Sequence, residues 1–172
     1  MNSRARISVA ALSLSAAAFV GLVVKEGYSD RAIIPTKGDV PTVGFGSTIR
    51  EDGSRVQMGD TITPVRAVQL AAAHLGKDEA AFRASMPGVA LHQAEYDLYM
   101  DFVYQYGMPN WQASSMRRHL IAGEYRQACD ALLRWRFQAG RDCRDPANWG
   151  PQGCKGVWTR QQERHQKCVA AQ

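Results

Sequence analysis

The chain contains no short C-x-x-C pair, no internal repeat and no low-complexity tract, and no cysteine precedes Cys129. Lack of the paired-cysteine spacing removes the usual framework of a structural zinc site. His74, His92, His119 and His165 are scattered without ligand spacing, so they read as surface or cap residues, and neither a metal nor a cofactor is expected. Disorder is excluded by composition, since 45% of the 172 residues are hydrophobic and only 22% charged. That length suits one domain with a real core. Acidic residues are the scarcer charge, 16 against 21 Lys and Arg, a formal +5. The surplus fits an anionic partner, whether nucleic acid, membrane surface or wall polymer. Nucleic-acid binding has only this charge in its favour and is not expected.

Charge is missing altogether from one stretch. Ile7 to Val24 reads ISVAALSLSAAAFVGLVV, eighteen residues with no ionisable side chain. As a helix it would reach roughly 27 Å at about 1.5 Å per residue, just short of the roughly 30 Å hydrocarbon core. Three readings compete, a cleaved signal peptide, a permanent anchor, and an uncut export segment that enters the membrane and can later leave, with a buried core helix as the remaining alternative. The small residues of a cleavage site, around Ser15 to Ala18, lie inside the run rather than after it. Ala, Ser and Gly fill half of the run, which weakens its drive into lipid. Both facts favour the third reading, with residues 1–24 as the membrane segment and 25–172 as the folded domain. Arg4 and Arg6 favour an N-inside, C-outside orientation, although Lys25 and Arg31 reduce the bias. No cysteine lies in the block, which excludes control by a thiol hidden in the membrane.

Cys129, Cys143, Cys154 and Cys168, an even count confined to the last third, agree with export and read as two disulfides. Four cysteines allow three pairings, and spacing does not choose among them. We expect Cys143 to pair with Cys154 across a Gly/Pro loop, and Cys129 with Cys168 between two helices.

The patterning predicts an α+β chain with a small N-terminal β-hairpin sheet, a mostly helical remainder and an apolar helix at the start. Gly27 to Gly59 carries turn and strand chemistry, with Lys37-Gly38-Asp39 as its tightest turn and Pro35 and Pro41 beside it. Thr63-Pro64 opens a helix whose apolar positions are Val68, Leu70, Ala71, Leu75 and Phe82, ended by Pro87-Gly88. Glu95 to Tyr106 is an aromatic helix stopped by Gly107 and Pro109. Two more helices, Ser114 to Ala122 and Glu124 to Phe137, flank Gly123, and a loop runs from Gly140 to Gly156. The last helix is expected to begin at Thr159 with a Thr159-x-x-Gln162 capping box. A cleft between the sheet and the helices is the default place for a ligand.

Glycoside hydrolysis needs a carboxylic acid to protonate the leaving oxygen, and usually a second group to activate water or stabilise the cationic sugar. Glu26, ending an apolar helix, is placed for the first role, and Asp39 with Thr42 for the second. Taken bare, a Glu after an apolar helix is a flanking charge and an Asp beside Gly a turn residue. Tyr96, Tyr99, Phe102 and Tyr106 recur at helical spacing and read as core. Trp111 and Trp149 read as loop residues suited to a sugar platform, and Arg117, Arg118, Arg134 and Arg136 as a solvated basic face.

The string Glu26-Gly27, then Asp39, then Thr42-Val43-Gly44-Phe45-Gly46-Ser47-Thr48 resembles the phage-type lysozymes, the family of T-even phage lysozyme and the lambdoid endolysins. The resemblance continues through Leu91, Glu95, Tyr96 and Phe102, then Ser114, Leu120, Gly123 and Tyr125, then Leu132 with Trp135, and Gly156 with Arg160. It departs where Gln161 replaces a second Arg and Glu163 comes one residue early. It implies a lysozyme-like fold and hydrolysis of the β-1,4 bond between N-acetylmuramic acid and N-acetylglucosamine in peptidoglycan. On the same resemblance Glu26 is the general acid and Thr42 helps place the water. The family's aspartate position is Pro35 here, and Asp39, in a longer hairpin, is taken as its replacement. The apolar block resembles the signal-arrest-release segment of such endolysins, which holds the enzyme in the host inner membrane and then frees it to the periplasm, where a monomer cuts glycan strands. The alternatives are a lytic transglycosylase, against which Thr42 argues, and a non-catalytic wall- or membrane-binding module, against which Glu26 argues.

Overall fold

The apolar block does not form one continuous helix. The structure, a computed structural model, describes residues 5–35 and 38–172, with the Glu26 side chain, and with it Arg4 and Lys37, outside the described residues. Ile7–Ser8 form strand β1, Val9–Ala11 a 3-10 turn, and only Ala16–Glu26 are α-helical, as α1. Ser15 explains the late start: its side chain accepts from Ala18 N at 3.1 Å and caps the helix. No helix among the described residues is long and apolar enough to cross a membrane.

The chain divides into two units, Leu14–Ala80 forming one, and the residues up to Ser13 together with Ala81–Gln172 the other. In the first unit α1 leads into strands β2 (Ser29–Ile33) and β3 (Thr42–Gly44), an antiparallel pair in which Ser29 faces Gly44 and Ile33 faces Thr42. Asp60 to Ile62 run along β2, with Ala32 N donating to Asp60 O and Ile62 N to Asp30 O, both at 2.9 Å. Ala32, Val43 and Val56 are buried between these segments, with Ile62 packed against them. Helix α2, Pro64–Ala84, follows, with Thr63 Oγ1 accepting from Arg66 N at 3.4 Å. Ala67, Leu70, Ala71 and Leu75 bury one of its faces, whereas Val68 is exposed.

The second unit begins with β1 paired to β4 (Ala90–Leu91). Helix α3, Gln93–Ala113, carries its aromatic face inward, and Tyr96, Tyr99 and Phe102 are fully buried. Gly107, at φ 80°, breaks the helix as expected, but the chain turns and resumes helical geometry, with Pro109 tolerated at the start of the second segment. That overturns the loop reading of Trp111. Its ring is 0% exposed, 4.9 Å from Phe82 and 5.4 Å from Tyr99 between centroids, and its Nε1 donates to Ser85 Oγ at 2.9 Å. It is core, not a sugar platform.

Helices α4 (Ser115–Ile121) and α5 (Tyr125–Ala131) follow. The helix expected to reach Phe137 stops at a 3-10 turn, Leu132–Arg134, and Phe137–Gln138 (β5) pair instead with Arg141–Asp142 (β6). The last helix, α6, spans Lys155–Ala170, so Thr159 lies inside it and the proposed capping box is not its start. Gln161 is buried and donates to Tyr106 Oη at 2.8 Å. Cys129 bonds Cys168 and Cys143 bonds Cys154, the pairs the sequence reading singles out.

Glu95, 0% exposed, is the buried charge on which this unit is built. Arg6 reaches it with Nε at 3.1 Å and Nη2 at 3.2 Å, His92 N donates at 2.8 Å and Gln172 Nε2 at 2.7 Å. The Arg6 guanidinium lies 3.7 Å from the centre of the Tyr125 ring. Breaking such a pair leaves an uncompensated carboxylate and is strongly destabilising. Arg6→Ala is therefore expected to cost about 3 kcal/mol, and Glu95→Gln in the same chain to restore part of it. Urea unfolding of the single and double variants measures both.

Candidate active site

Glu26 is the last residue of α1, and Gly27 at φ 71° turns the chain out of the helix toward β2. Only a residue free of a Cβ enters that region of backbone space without strain. Thr42 opens β3 opposite Ile33, and its Oγ1 lies 3.5 Å from Ile33 O. Asp39 is exposed in the connection between the two strands, two residues before Pro41. All three belong to the Leu14–Ala80 unit, on the end of α1 and on the hairpin that directly follows it.

The motif around Thr42 has a packing cause. Gly44 adopts φ 67°, and a Cβ there would lie 2.9 Å from Ala67 Cβ on α2. Close approach of β3 to α2 thus requires glycine at this position. Val43 N and Ser47 N each bond the other's carbonyl at 3.0 Å, closing the turn that Gly44 and Gly46 permit. Tyr28 Oη donates to Ile62 O at 2.8 Å, and its ring centre lies 5.5 Å from that of Phe45. The hairpin carrying Thr42 is tied to its neighbours at both ends.

The same unit holds a pocket of about 590 Å³, lined in part by Asp30, Arg50, Glu51, Asp52, Asp60 and Arg66. Sequence reading did not single out this cluster. Arg50 forks onto Asp60 at 2.7 and 2.8 Å, holding its carboxyl below the usual carboxylate range, with the Gln57 N–H adding to the effect. Hydrogen bonds from Arg66 lower Glu51, and those from the Ser54 hydroxyl and N–H lower Asp52. A general acid needs the opposite, a proton retained near neutral pH. Glu51, Asp52 and Asp60 are therefore structural carboxylates. Asp78, on α2, is pushed up by burial, with His74 opposing, but neither lines this pocket.

Trp149 is 37% exposed in the loop before α6, so of the two tryptophans read as platforms it alone keeps an accessible ring. The basic face is only partly solvated, since Arg117 Nε donates to Ser85 O at 2.9 Å and Arg136 pairs with Asp142 at 3.0 Å.

The chain is similar to known proteins. The family model described as phage lysozyme matches residues 24–146. The endolysin of Salmonella phage P22 is 31% identical over 131 residues, 76% of this chain and 88% of that protein. A SAR-endolysin of Enterobacteria phage PA-2 is 28% identical, with 98% of this chain and 93% of that protein covered. Among solved structures, the endolysin of Escherichia coli O157:H7 phage FAHEc1 superposes with a TM-score of 0.75 at 24% identity, over 94% of this chain and 96% of that one. The fold is lysozyme-like, and the chain belongs to the phage lysozyme family. It is accordingly a lysozyme, a glycoside hydrolase.

Gly44→Ala combines a left-handed backbone with a Cβ in contact with backbone-fixed Ala67. We expect a loss of about 2–4 kcal/mol, read as a lower Tm, with turnover falling in step because Thr42 rides on the same strand.

Proposed function

We propose that this lysozyme hydrolyses the β-1,4 bond between N-acetylmuramic acid and N-acetylglucosamine in bacterial peptidoglycan, with Glu26, Asp39 and Thr42 as the acting residues. The observation that carries the reading is the position of Glu26 as the last residue of α1, inside the family-matched span and directly before the hairpin that begins β3 with Thr42. In this reading Glu26 protonates the glycosidic oxygen as the bond to the sugar breaks. Positive charge develops on the ring, and the Asp39 carboxylate stabilises it from the hairpin. Thr42 orients the water that completes hydrolysis, whose proton returns the acid to its starting state. Thr42 is half-buried at the start of β3 with its hydroxyl 3.5 Å from Ile33 O, and the acceptor capacity left on that hydroxyl suits it to hold water, which a transglycosylase does not require.

The N-terminal block is read as a signal-arrest-release segment: an N-inside, C-outside span in the host inner membrane, then a released form in the periplasm. Its charge-free run and the likeness to a protein called a SAR-endolysin support this. In the folded chain the block is divided, with Ile7 to Ser13 in one unit and Leu14 to Val24 in the other. A single membrane helix over those residues is incompatible with β1 pairing to β4 and with Arg6 on Glu95. The folded chain described here is the released form in this reading.

Glu26→Gln keeps the shape but has no proton to donate, so wall clearing should fall by about 10²-fold or more with circular dichroism unchanged. A variant keeping a tenth of the wild-type rate removes Glu26 from the role.

Asp39→Asn is expected to impair turnover strongly and Asp30→Asn to leave it near wild type, in the same turbidity assay on purified sacculi. Equal, small losses would mean that Glu26 works as the one indispensable carboxylate.

Replacing Ser8 and Ser13 with Leu should hold the protein in the membrane fraction and abolish lysis. Ser15 is spared because it caps α1, a contact worth about 1 kcal/mol in the folded form. Fractionation should show full-length wild-type chains in both membrane and periplasm, and a shortened soluble form alone would mean an ordinary signal peptide.

A further inference from the structure

A second pocket, of about 450 Å³, lies in the disulfide-framed loop and shares no residue with Glu26, Asp39 or Thr42. Its lining includes Arg141, Asn148, Trp149, Pro151, Gln152 and Gly153. Most of these residues lie past residue 146, where the family match ends.

The loop is built rigidly. The Cys143–Cys154 bond closes it. Cys154 N donates to Asn148 O at 2.9 Å, and Asn148 Nδ2 to Asp142 O at 2.9 Å. A Cβ on Gly153 would fall 2.5 Å from Asn148 O, so the two sides of the loop touch backbone to backbone. Trp149 is fixed by its own ring nitrogen, which donates to Cys143 O at 2.9 Å, and the Lys155 ammonium sits 4.7 Å from the ring centre. The indole is held still and still 37% exposed, the condition under which an aromatic ring binds without losing rotamer freedom.

Charge completes the pocket. Asp142 is occupied by Arg136 at 3.0 Å and Arg144 at 3.7 Å, and Asp145 accepts from Ala147 N at 2.9 Å. Among the described residues no carboxylate pairs with Arg141, whose one hydrogen bond is a 3.4 Å contact from Nη1 to Gln152 O. A guanidinium left with most of its donors beside a fixed ring selects a planar anion carried on a partly apolar chain.

We propose that this pocket binds the carboxylates of the short peptides hung from the muramic acid residues, Arg141 forking onto the carboxylate and Trp149 covering the adjoining aliphatic segment. The choice of polymer rests on the wall-hydrolase reading above, because the glycan backbone itself is uncharged once its lactyl groups are joined to peptide. Arg141 and Trp149 are positioning residues here, acting on how the wall is held rather than on the bond cut.

The probe is the tripeptide L-alanyl-γ-D-glutamyl-meso-diaminopimelate, titrated into the full folded chain while the Trp149 indole N–H resonance is followed. The expected result is a saturable shift with the tripeptide and none with its fully amidated analogue. Arg141→Ala, an exposed site whose loss should leave Tm unchanged, should weaken binding at least tenfold, and Arg141→Lys should keep part of it. On intact sacculi Arg141→Ala should raise KM with kcat unchanged. The proposal is overturned if the shift is absent, is the same for the amidated peptide, survives in Arg141→Ala, or appears only with phosphatidylglycerol vesicles, which would make the loop a membrane contact. Tripeptide binding without turnover of sacculi by wild type would instead overturn the muramidase reading and leave the site standing. Turnover without tripeptide binding overturns the site alone.

Discussion

A fully buried carboxylate is tolerable only with a cation and hydrogen bonds around it, and Glu95 sets that constraint for the helical unit. Its partners come from Arg6, from the first turn of α3 and from Gln172. Position 6 belongs to the flank of the apolar block, and Gln172 Oε1 in turn accepts from Arg6 Nη2 at 2.7 Å. Both ends of the sequence are therefore drawn to one side chain. Arg6, a charge on the flank of the apolar block, is what neutralises Glu95 in the fold.

A second polar centre joins α3 to α6. Asp101 accepts from Arg160 Nη2 at 2.8 Å and from Arg164 Nε at 2.6 Å. Arg164 is nearly fully buried, and burial lowers its pKa while Asp101 acts against that. The sequence reading noted that Gln161 stands where the family carries a second arginine. In the fold that glutamine donates to Tyr106, and the buried positive charge falls instead to Arg164, three residues on.

What the sequence showed clearly was chemistry that local geometry enforces. The hairpin was legible because Gly44 must be glycine beside Ala67, and the helix start at Pro64 because Thr63 caps it. The cysteine pairs were open on spacing alone, since three pairings satisfy an even count. Failures came where tertiary packing outweighed a local signal. Gly107 and Pro109 read as a stop, yet a glycine at φ 80° reverses the chain and a proline near a helix start gives up no hydrogen bond, so Trp111 returned to the core. Thr159 looked like a cap, but the helix gains a further turn from Cys154, held by its disulfide. The apolar block was the least legible: its composition fits a membrane helix, while Ser15 and the pairing of Ile7 with Leu91 serve a different fold. The carboxylate cluster around Arg50 gave no sequence signal, because its members are spread over a loop and meet only through turns.

The pairing of Ile7 with Leu91 also bears on how the chain folds. Contacts between distant residues close large loops, and proteins dominated by them fold slowly. Arg6 and Gln172 are 166 positions apart, so their contact is among the most distant the chain makes. Until it forms, Val9 and Leu12, both buried in the finished structure, have no place to go and Glu95 lacks its cation. The helical unit is therefore complete only once the N-terminal strand has docked.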